Sequence, residues 1–292
     1  MKILGKYKNG NYNVVIFDDG TKVRETNDDK FIPEFPECMD VKITNYCDRN
    51  CPFCHEASST SGEHGDILNA KFIDSLNPYT ELAIGGGNPL SHPDLMQFLQ
   101  NLKDKKIIAN ITINQVHFEQ NTELIDELIS KDLIKGLGVS LVNPTDEFIN
   151  KISNYKNAVI HVINGVVKIS DLEKMYDKGL KILILGYKQF RKGNDYYSAS
   201  VEFNKTFMKL KLSEILKHFK VVSFDNLAIE QLEVKNLMSE KEWNDFYMGD
   251  DGQFTMYIDM VQKKFTKSSI TSERFDLMDN IKDMFKIVKE VE

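Results

Sequence analysis

The stretch Cys47-Asp48-Arg49-Asn50-Cys51-Pro52-Phe53-Cys54 places three thiols in the spacing C-x3-C-x2-C. A loop this short can fold back so that its three thiolates converge on one point. Cys38 is the only other cysteine of the chain, and none follows Cys54. The segment Met1–Lys6 lacks the apolar stretch of about 7–15 residues that marks a secretory signal, so we expect a cytoplasmic protein. Thiols stay reduced there, and clustered ones indicate metal or redox chemistry.

Two kinds of metal centre compete for these thiols. Zinc requires four ligands in a closed tetrahedron, and Cys38, His55 or His64 would have to supply the fourth. An iron–sulfur cluster also usually takes four thiolates. The alternating segment 39–44 predicts a strand about 20 Å long, at ~3.3 Å per residue, with Cys38 at its far end as a small buried residue. Three thiolates then leave an iron without a protein ligand, which is typical of sites that bind a substrate or cofactor.

Composition excludes several classes of protein. The 292 residues are 41% hydrophobic and 28% charged, which is ordinary for a globular chain. Acidic residues outnumber Lys and Arg by 44 to 37, giving a net charge of −7. Nucleic acid is therefore an unfavoured partner, because its binders usually carry a basic face. No apolar run approaches the ~20 residues that span a bilayer, so a membrane partner is not expected.

Short apolar strands alternate with helical segments through the middle of the chain. Such alternation predicts a parallel sheet with crossover helices, in which ligands bind beyond the carboxyl ends of the strands. The cysteine loop follows the first strand and therefore lies on that face. The six predicted strands cover residues 39–44, 81–84, 108–114, 137–142, 159–163 and 181–185.

The two flanks lack this rhythm. Residues 1–37 contain two β-prone runs joined by Asp18-Asp19-Gly20, which predicts an N-terminal β-hairpin appendage. Residues 191–292 predict an α+β extension that serves as a lid and specificity region. Within it we expect a helix near 201–218, a strand at 221–224, a hairpin at about 254–265 and a polar amphipathic helix at about 272–289.

A glycine-rich turn, Gly85-Gly86-Gly87-Asn88-Pro89, follows the second strand. Glycines let a backbone approach a ligand closely, although a Gly triplet alone is weak evidence. The turn comes ~30 residues after the cysteines, the length of one βα unit. Both motifs are thus expected at neighbouring strand ends, and the combination is more specific than either part.

Together these motifs resemble the radical S-adenosylmethionine (radical SAM) superfamily. The resemblance rests on the C-x3-C-x-aromatic-C loop, with Phe53 as the aromatic residue, on the Gly-Gly-Glu-Pro-like turn and on the six βα units. It covers residues 38–190, about half of the chain. It implies an α/β fold with a partial (β/α)6 barrel, flanked by the N-terminal hairpin and the C-terminal extension.

The resemblance also implies a chemistry. Cys47, Cys51 and Cys54 would hold a [4Fe–4S] cluster whose free iron takes the amino and carboxylate groups of S-adenosylmethionine. One electron, from a donor such as flavodoxin or ferredoxin, would then yield a 5′-deoxyadenosyl radical that abstracts hydrogen from a substrate. The protein's part is orientation and the exclusion of water. No residue of the chain is assigned as catalytic.

Further cofactor contacts follow from the same resemblance. The family's usual Glu in the turn is Asn88 here, whose oxygen could accept from the methionyl ammonium without the charge-assisted component. The carbonyls of Gly86 and Gly87 could share this task. Phe53 would pack beside the adenine. Ser140 and Asn164, at the ends of the fourth and fifth strands, would bind ribose hydroxyls, or else cap local turns.

Substrate identity stays open at this level. A peptide or a small metabolite is expected, while the absence of cysteines after Cys54 excludes SPASM-type auxiliary clusters. The alternatives are a structural or interaction module with zinc or an inert cluster, and an RNA-modifying radical enzyme. Gln115 and His117, after the third strand, could face the substrate or cap a loop, and His161 is expected to face the helices.

Overall fold

A computed structural model describes residues 2–291 of the chain. Its strands are β1 (Ile3–Asn9), β2 (Tyr12–Phe17), β3 (Lys22–Glu25), β4 (Cys38–Thr44), β5 (Glu81–Gly86), β6 (Ile108–Asn114), β7 (Gly136–Ser140), β8 (Ala158–Ile163), β9 (Lys181–Leu185), β10 (Val221–Phe224), β11 (Thr255–Asp259), β12 (Lys264–Thr266) and β13 (Phe275–Asp276). Its α-helices are α1 (Leu95–Asp104), α2 (Gln115–Gln120), α3 (Thr122–Ser130), α4 (Asp146–Ile152), α5 (Ile169–Glu173), α6 (Lys192–Tyr196), α7 (Ala199–Ile215), α8 (Asn226–Leu232), α9 (Glu240–Phe246) and α10 (Ile281–Val288). Short 3₁₀ turns occupy Lys71–Ser75, Pro89–Ser91 and Val234–Leu237.

The main sheet confirms the predicted α/β architecture. Its strands lie in the order β10-β9-β8-β7-β6-β5-β4-β11-β12-β13, and every pair from β10 to β11 is parallel. Because the strands that lead into the cysteine loop and the glycine turn are the neighbours β4 and β5, their carboxyl ends meet at one edge. This arrangement is the partial barrel that the sequence predicts.

Alternating side chains give the sheet two different faces. Met39, Val41 and Ile43 of β4 are buried in the main hydrophobic core together with helix residues such as Phe98 and Leu102. Successive side chains of a strand point to opposite faces. Asp40, Lys42 and Thr44 therefore point into the interior of the partial barrel, and this inner face is largely polar.

The flanks build more of the sheet than their sequences indicate. The N-terminal hairpin β2–β3 is present, and β1 adds a third strand to it. Strand β10 pairs with β9 and β11 pairs with β4, so both edges of the main sheet come from residues 191–292. The N-terminal sheet packs at the amino ends of the barrel strands, where Arg24 Nε of β3 lies 2.8 Å from Glu37 Oε1.

One helix prediction is wrong in its bounds, and one helix of the structure has no counterpart in the sequence predictions. The predicted helix at 272–289 is helical only over α10, which begins after Asn280, whose side chain accepts from the Lys282 amide. Upstream, Phe275 pairs with Phe265 as part of β13, because an adjacent strand captures that stretch. Helix α2 was not predicted; Asn114 caps it by accepting from the Val116 amide at 3.0 Å. In the described range, no helix combines the length and apolar character needed to cross a membrane.

Candidate active site

The cysteine loop leaves the carboxyl end of β4 and is held at its base by backbone hydrogen bonds. The Cys47 amide donates to the Ser59 carbonyl at 2.8 Å, and the Ser59 amide donates to the Asn45 carbonyl at 3.1 Å. Asn50 adopts a left-handed backbone with φ of 45°, a conformation that Asn tolerates better than most residues. The tight turn brings Cys51 back beside Cys54, whose amide donates to the Cys51 carbonyl at 3.2 Å.

The glycine turn packs directly against the base of this loop. The Gly87 amide donates to the Thr44 carbonyl at 2.8 Å, and the Asn88 amide donates to the Tyr46 carbonyl at 2.7 Å. A Cβ atom on Gly87 would lie 2.1 Å from the Tyr46 oxygen, so no larger residue fits there. Gly86 has a φ of 109°, which only glycine adopts readily. The structure thus joins the two motifs through backbone contacts one residue before Cys47.

The three thiols of the cysteine loop are free. All three are partly accessible, and burial raises the pKa values of Cys47 and Cys51. A single zinc ion with Zn–S bonds of about 2.3 Å would draw its sulfurs to about 3.8 Å from one another. Among residues 2–291, the group of ligand atoms that lies within 4.8 Å is Cys47, Asp48 and His117, not the three cysteines. The three sulfurs thus do not all lie within 4.8 Å of one another, whereas a single zinc ion would hold them closer.

Glu56, two residues after Cys54, anchors one side of the loop. Its buried carboxylate lies 3.0 Å from Lys42 Nζ through Oε2 and accepts from the Tyr257 hydroxyl at 2.9 Å through Oε1. Lys42 also contacts Asp259 at 3.2 Å, its register partner on β11. The cysteine loop is therefore tied to β4 and β11 by a buried charged network.

The segment after β9 holds the outer side of the loop. Arg191 Nη1 donates to the Glu56 carbonyl at 2.9 Å, and Lys192 Nζ donates to Asn50 Oδ1 at 2.7 Å. The Tyr196 ring packs edge-on against Phe53, with 5.7 Å between ring centroids. The cysteine loop is therefore also tied to the segment that follows β9.

A polar chamber lies inside the barrel beside the loop. Asp40, His55 and His161 are each reached by solvent yet enclosed by protein. Burial, followed by the charge of Lys188, holds the pKa of His55 well below its usual range, so this imidazole is neutral. Burial lowers the pKa of His161 to about 4 and raises that of Asp40, against the opposing effect of Lys188. The chamber thus presents two neutral imidazoles and charges of both signs.

His161 overturns one sequence expectation. A Cβ atom on Gly138 of β7 would lie 2.5 Å from the His161 ring and 2.8 Å from Thr112 Oγ1. The neighbours Ile160 and Val162 belong to the core against the helices. His161 therefore faces the chamber, because its two strand neighbours occupy the helix-facing side.

The remaining residues predicted to contact the cofactor differ in how deeply they are buried. Asn88 Oδ1 accepts from the Leu90 amide at 3.2 Å and caps a 3₁₀ turn, which leaves one lone pair of that oxygen for another donor. Ser140 ends β7 on the same inner face as Gly138. Asn164 is fully buried and donates through Nδ2 to Gln231 Oε1 at 3.1 Å. The ribose roles of Ser140 and Asn164 stay predictions.

Three site residues have no signal in the sequence, and two that the sequence singled out hold neighbouring segments in place. Lys42, Glu56 and Asp259 come together only because β11 pairs with β4. His117 was expected to face substrate or cap a loop, and instead its Nε2 lies 2.5 Å from Asp48 Oδ1 in the cysteine loop. Gln115 holds the chain after β7, accepting from the Val142 and Asn143 amides at 2.8 Å each.

Comparison with known families agrees with this geometry. The family model described as "Radical SAM superfamily" matches residues 41–187, which contain the cysteine loop, the glycine turn and β9. The chain belongs to the radical SAM superfamily. It is therefore an enzyme of the class that uses a [4Fe–4S] cluster and S-adenosylmethionine.

Sequence relatives cover the same part of the chain. A probable GTP 3′,8-cyclase from Methanocaldococcus jannaschii is 27% identical over 154 residues, which are 49% of this chain and 48% of that protein. A probable GTP 3′,8-cyclase from Methanococcus maripaludis strain C5 is 26% identical over 153 residues, 50% of this chain and 48% of that protein. The chain thus spans about half the length of these radical SAM relatives.

Solved structures support the fold over most of the chain. SuiB of Streptococcus suis bound to its precursor peptide SuiA superposes with a TM-score of 0.60 at 14% identity, covering 89% of this chain and 67% of SuiB. SuiB bound to S-adenosylmethionine gives a TM-score of 0.60 at 12% identity, covering 88% of this chain and 64% of SuiB. At this identity the likeness concerns the radical SAM fold alone.

Proposed function

We propose that Cys47, Cys51 and Cys54 hold the [4Fe–4S] cluster and that the turn at Gly86, Gly87 and Asn88 holds the methionyl part of S-adenosylmethionine. The observation that carries this assignment is the contact between the two motifs, in which the Asn88 amide donates to the Tyr46 carbonyl beside Cys47. A cofactor bound to an open iron at the loop lies within reach of such a turn. Phe53, Ser140 and Asn164 are the proposed adenosine contacts.

When bound at Cys47, Cys51 and Cys54, the cluster would supply, with S-adenosylmethionine, the radical chemistry that removes a hydrogen atom from a substrate C–H bond. The chain's own contribution is positioning. Glu56 and Arg191 fix the loop, and Phe53 with Tyr196 covers its outer side. The N-terminal sheet packs at the amino end of the barrel, where Tyr12 donates to Glu37 at 2.6 Å. These contacts cover the outer side of the loop and the amino end of the barrel.

The charges of the chamber support a substrate group with a single negative charge. Four cations surround His55, namely Lys188, Arg191, Lys42 and Arg274. Among residues 2–291, Lys188 is the one of these four with no carboxylate oxygen within 4.0 Å, and its ammonium instead donates to Ser269 Oγ at 2.9 Å. A triphosphate would need several unpaired cations. A substrate with one anionic group beside Lys188 and one cationic or amide group beside Asp40 would match the charges of this chamber.

This charge pattern supports a peptide side chain as the leading substrate and a small metabolite of amino-acid type as the second. The peptide is also consistent with the precursor peptide bound to SuiB. GTP, named for the sequence relatives, fits one unpaired lysine poorly. The net charge of −7 gives no support to RNA.

Anaerobic reconstitution with iron and sulfide tests the site. With dithionite, or with flavodoxin or ferredoxin as electron donor, the protein is expected to convert S-adenosylmethionine to 5′-deoxyadenosine. Cys51→Ala is expected to lose both the cluster and this product. Cys38→Ala is the matched control and should keep both, because Cys38 begins β4 at the end opposite the loop. Bound zinc, or product from Cys51→Ala, would contradict the assignment.

GTP provides a direct test of the substrate proposal. Its addition is expected to leave the rate of 5′-deoxyadenosine formation unchanged and to give no cyclised nucleotide by mass spectrometry. A GTP-dependent rise with a nucleotide product would show that the charge argument for the chamber is wrong, while the cluster assignment would stand.

A further inference from the structure

Asp48 and His117 join the cysteine loop to the third strand of the barrel. Asp48 directly follows Cys47, and His117 lies in α2, which begins where β6 ends. Their side chains meet at 2.5 Å between Asp48 Oδ1 and His117 Nε2, across 69 residues of sequence. Glu56 anchors the loop on the Cys54 side, and the Asp48–His117 contact anchors it on the Cys47 side.

The His117 imidazole is held in a fixed position. Its side chain is 3% exposed, whereas that of Asp48 is 46% exposed. The short helix that carries it is fixed at both ends, by the Asn114 cap and by Asn121 Nδ2 donating to the His117 carbonyl at 2.8 Å. Within the part of the chain that is described, His117 Nδ1 is buried and has no hydrogen-bond partner. A buried ring with one unsatisfied nitrogen is costly, which points to a role beyond packing.

The pair also lies against a cluster thiol. The ligand atoms of Cys47, Asp48 and His117 all lie within 4.8 Å of one another. Hydrogen bonds and charges this close to a cluster sulfur change its reduction potential. The negative charge of the Asp48 carboxylate disfavours reduction of the cluster, and the N–H group that His117 donates offsets part of that negative charge.

We propose that His117 is a positioning residue for the cluster, which rests on the cluster site proposed above. It acts through Asp48: the hydrogen bond fixes the backbone that carries the Cys47 thiolate and moderates the field of the Asp48 carboxylate at the cluster. Positioning and potential are thus set by one contact that is not part of the C-x3-C-x2-C motif.

The test compares midpoint potentials and electron paramagnetic resonance spectra of reconstituted variants. His117→Ala leaves the carboxylate without its donor, so the cluster is expected to become harder to reduce. At a fixed potential, the ratio of reduced to oxidised cluster should fall about tenfold, which is about 59 mV for one electron. Asp48→Asn removes the charge, so the same ratio is expected to rise. His117→Gln, whose amide can donate from the position of Nε2, should restore most of the wild-type potential.

His218→Ala is the matched control. His218 also contacts an aspartate, Asp177, at 3.2 Å, but at the amino-terminal side of β9 and β10, away from the cysteine loop. It is expected to leave the potential and the spectrum unchanged. Should His117→Ala fail to fold, the partly exposed Asp48→Asn and its spectrum still decide the matter.

Two results would overturn the inference. One is a potential that His117→Ala and Asp48→Asn change no more than the control does. The other is a shift of the same sign in both variants, which would indicate distortion of the loop and not a balance of charge. A wild-type protein that takes up no cluster would overturn the proposed function as well, so the two failures are distinguishable.

Discussion

Replacing Glu56 by Ala tests whether the buried charged network holds the cysteine loop. The carboxylate is 6% exposed and contacts Lys42 at 3.0 Å and the Tyr257 hydroxyl at 2.9 Å. The substitution leaves the Tyr257 hydroxyl without its acceptor. Lys42 keeps Asp259 at 3.2 Å, so its charge stays partly compensated.

The expected cost follows from these contacts. Removing one partner from a buried charged pair destabilises proteins by about 3–5 kcal/mol. Because Lys42 keeps a second carboxylate, the lower end applies, and we expect a loss of about 3 kcal/mol. For a chain of 292 residues, whose unfolding entropy is about 0.6 kcal/mol/K, that lowers the melting temperature by about 5 °C. Glu56→Gln keeps an acceptor for Tyr257 and should cost only about 1–2 kcal/mol.

Differential scanning calorimetry of the reduced apoprotein measures this difference, and iron content after reconstitution reports on the loop. Glu127→Ala is the matched control, because Glu127 forms an exposed pair with Lys131 at 2.6 Å. Its cost should stay below about 0.5 kcal/mol. If Glu56→Ala were no more destabilised than Glu127→Ala and bound iron fully, the network would not be what holds the loop.

Three further predictions concern the glycine turn and the chamber. Gly87→Ala places a Cβ 2.1 Å from the Tyr46 carbonyl oxygen and should abolish S-adenosylmethionine binding, measured by calorimetry. Gly85→Ala is the control and should bind normally, because a Cβ at Gly85 has no other atom within 4 Å. Equal binding by the two variants would refute the packing argument. Asn88→Glu should bind this cofactor equally or more tightly, since an ionised acceptor strengthens the contact to the methionyl ammonium. A large loss of affinity would show that the turn has another role. The pKa of His161 lies near 4, below the value of about 6.5 in the unfolded chain, so its stabilising contribution is complete above pH 6.5 and decreases as the pH falls towards 4. Thermal melting of His161→Gln should accordingly depend less on pH across that window than the wild type, and an unchanged dependence would contradict a buried neutral imidazole.

The sequence by itself determined the features that depend on neighbours along the chain. Runs of β-branched residues predict the strands 108–114, 181–185 and 221–224 with the bounds that the structure has. The cysteine spacing and the glycine turn predict two ligand-binding segments at adjacent strand ends, because βα alternation allows few topologies. These signals are local, so they can be recognised in the sequence without knowledge of the fold.

Tertiary structure alone decided which strands pair and which face of each strand turns inward. Strand β11 comes to lie beside β4 across more than 200 residues, and only that pairing brings Asp259 to Lys42 and thereby completes the anchor of Glu56. Alternation along β8 predicts two faces for His161 and its neighbours but does not say which one lines the chamber. That choice depends on where the helices pack, which is a property of the whole sheet and of no single segment.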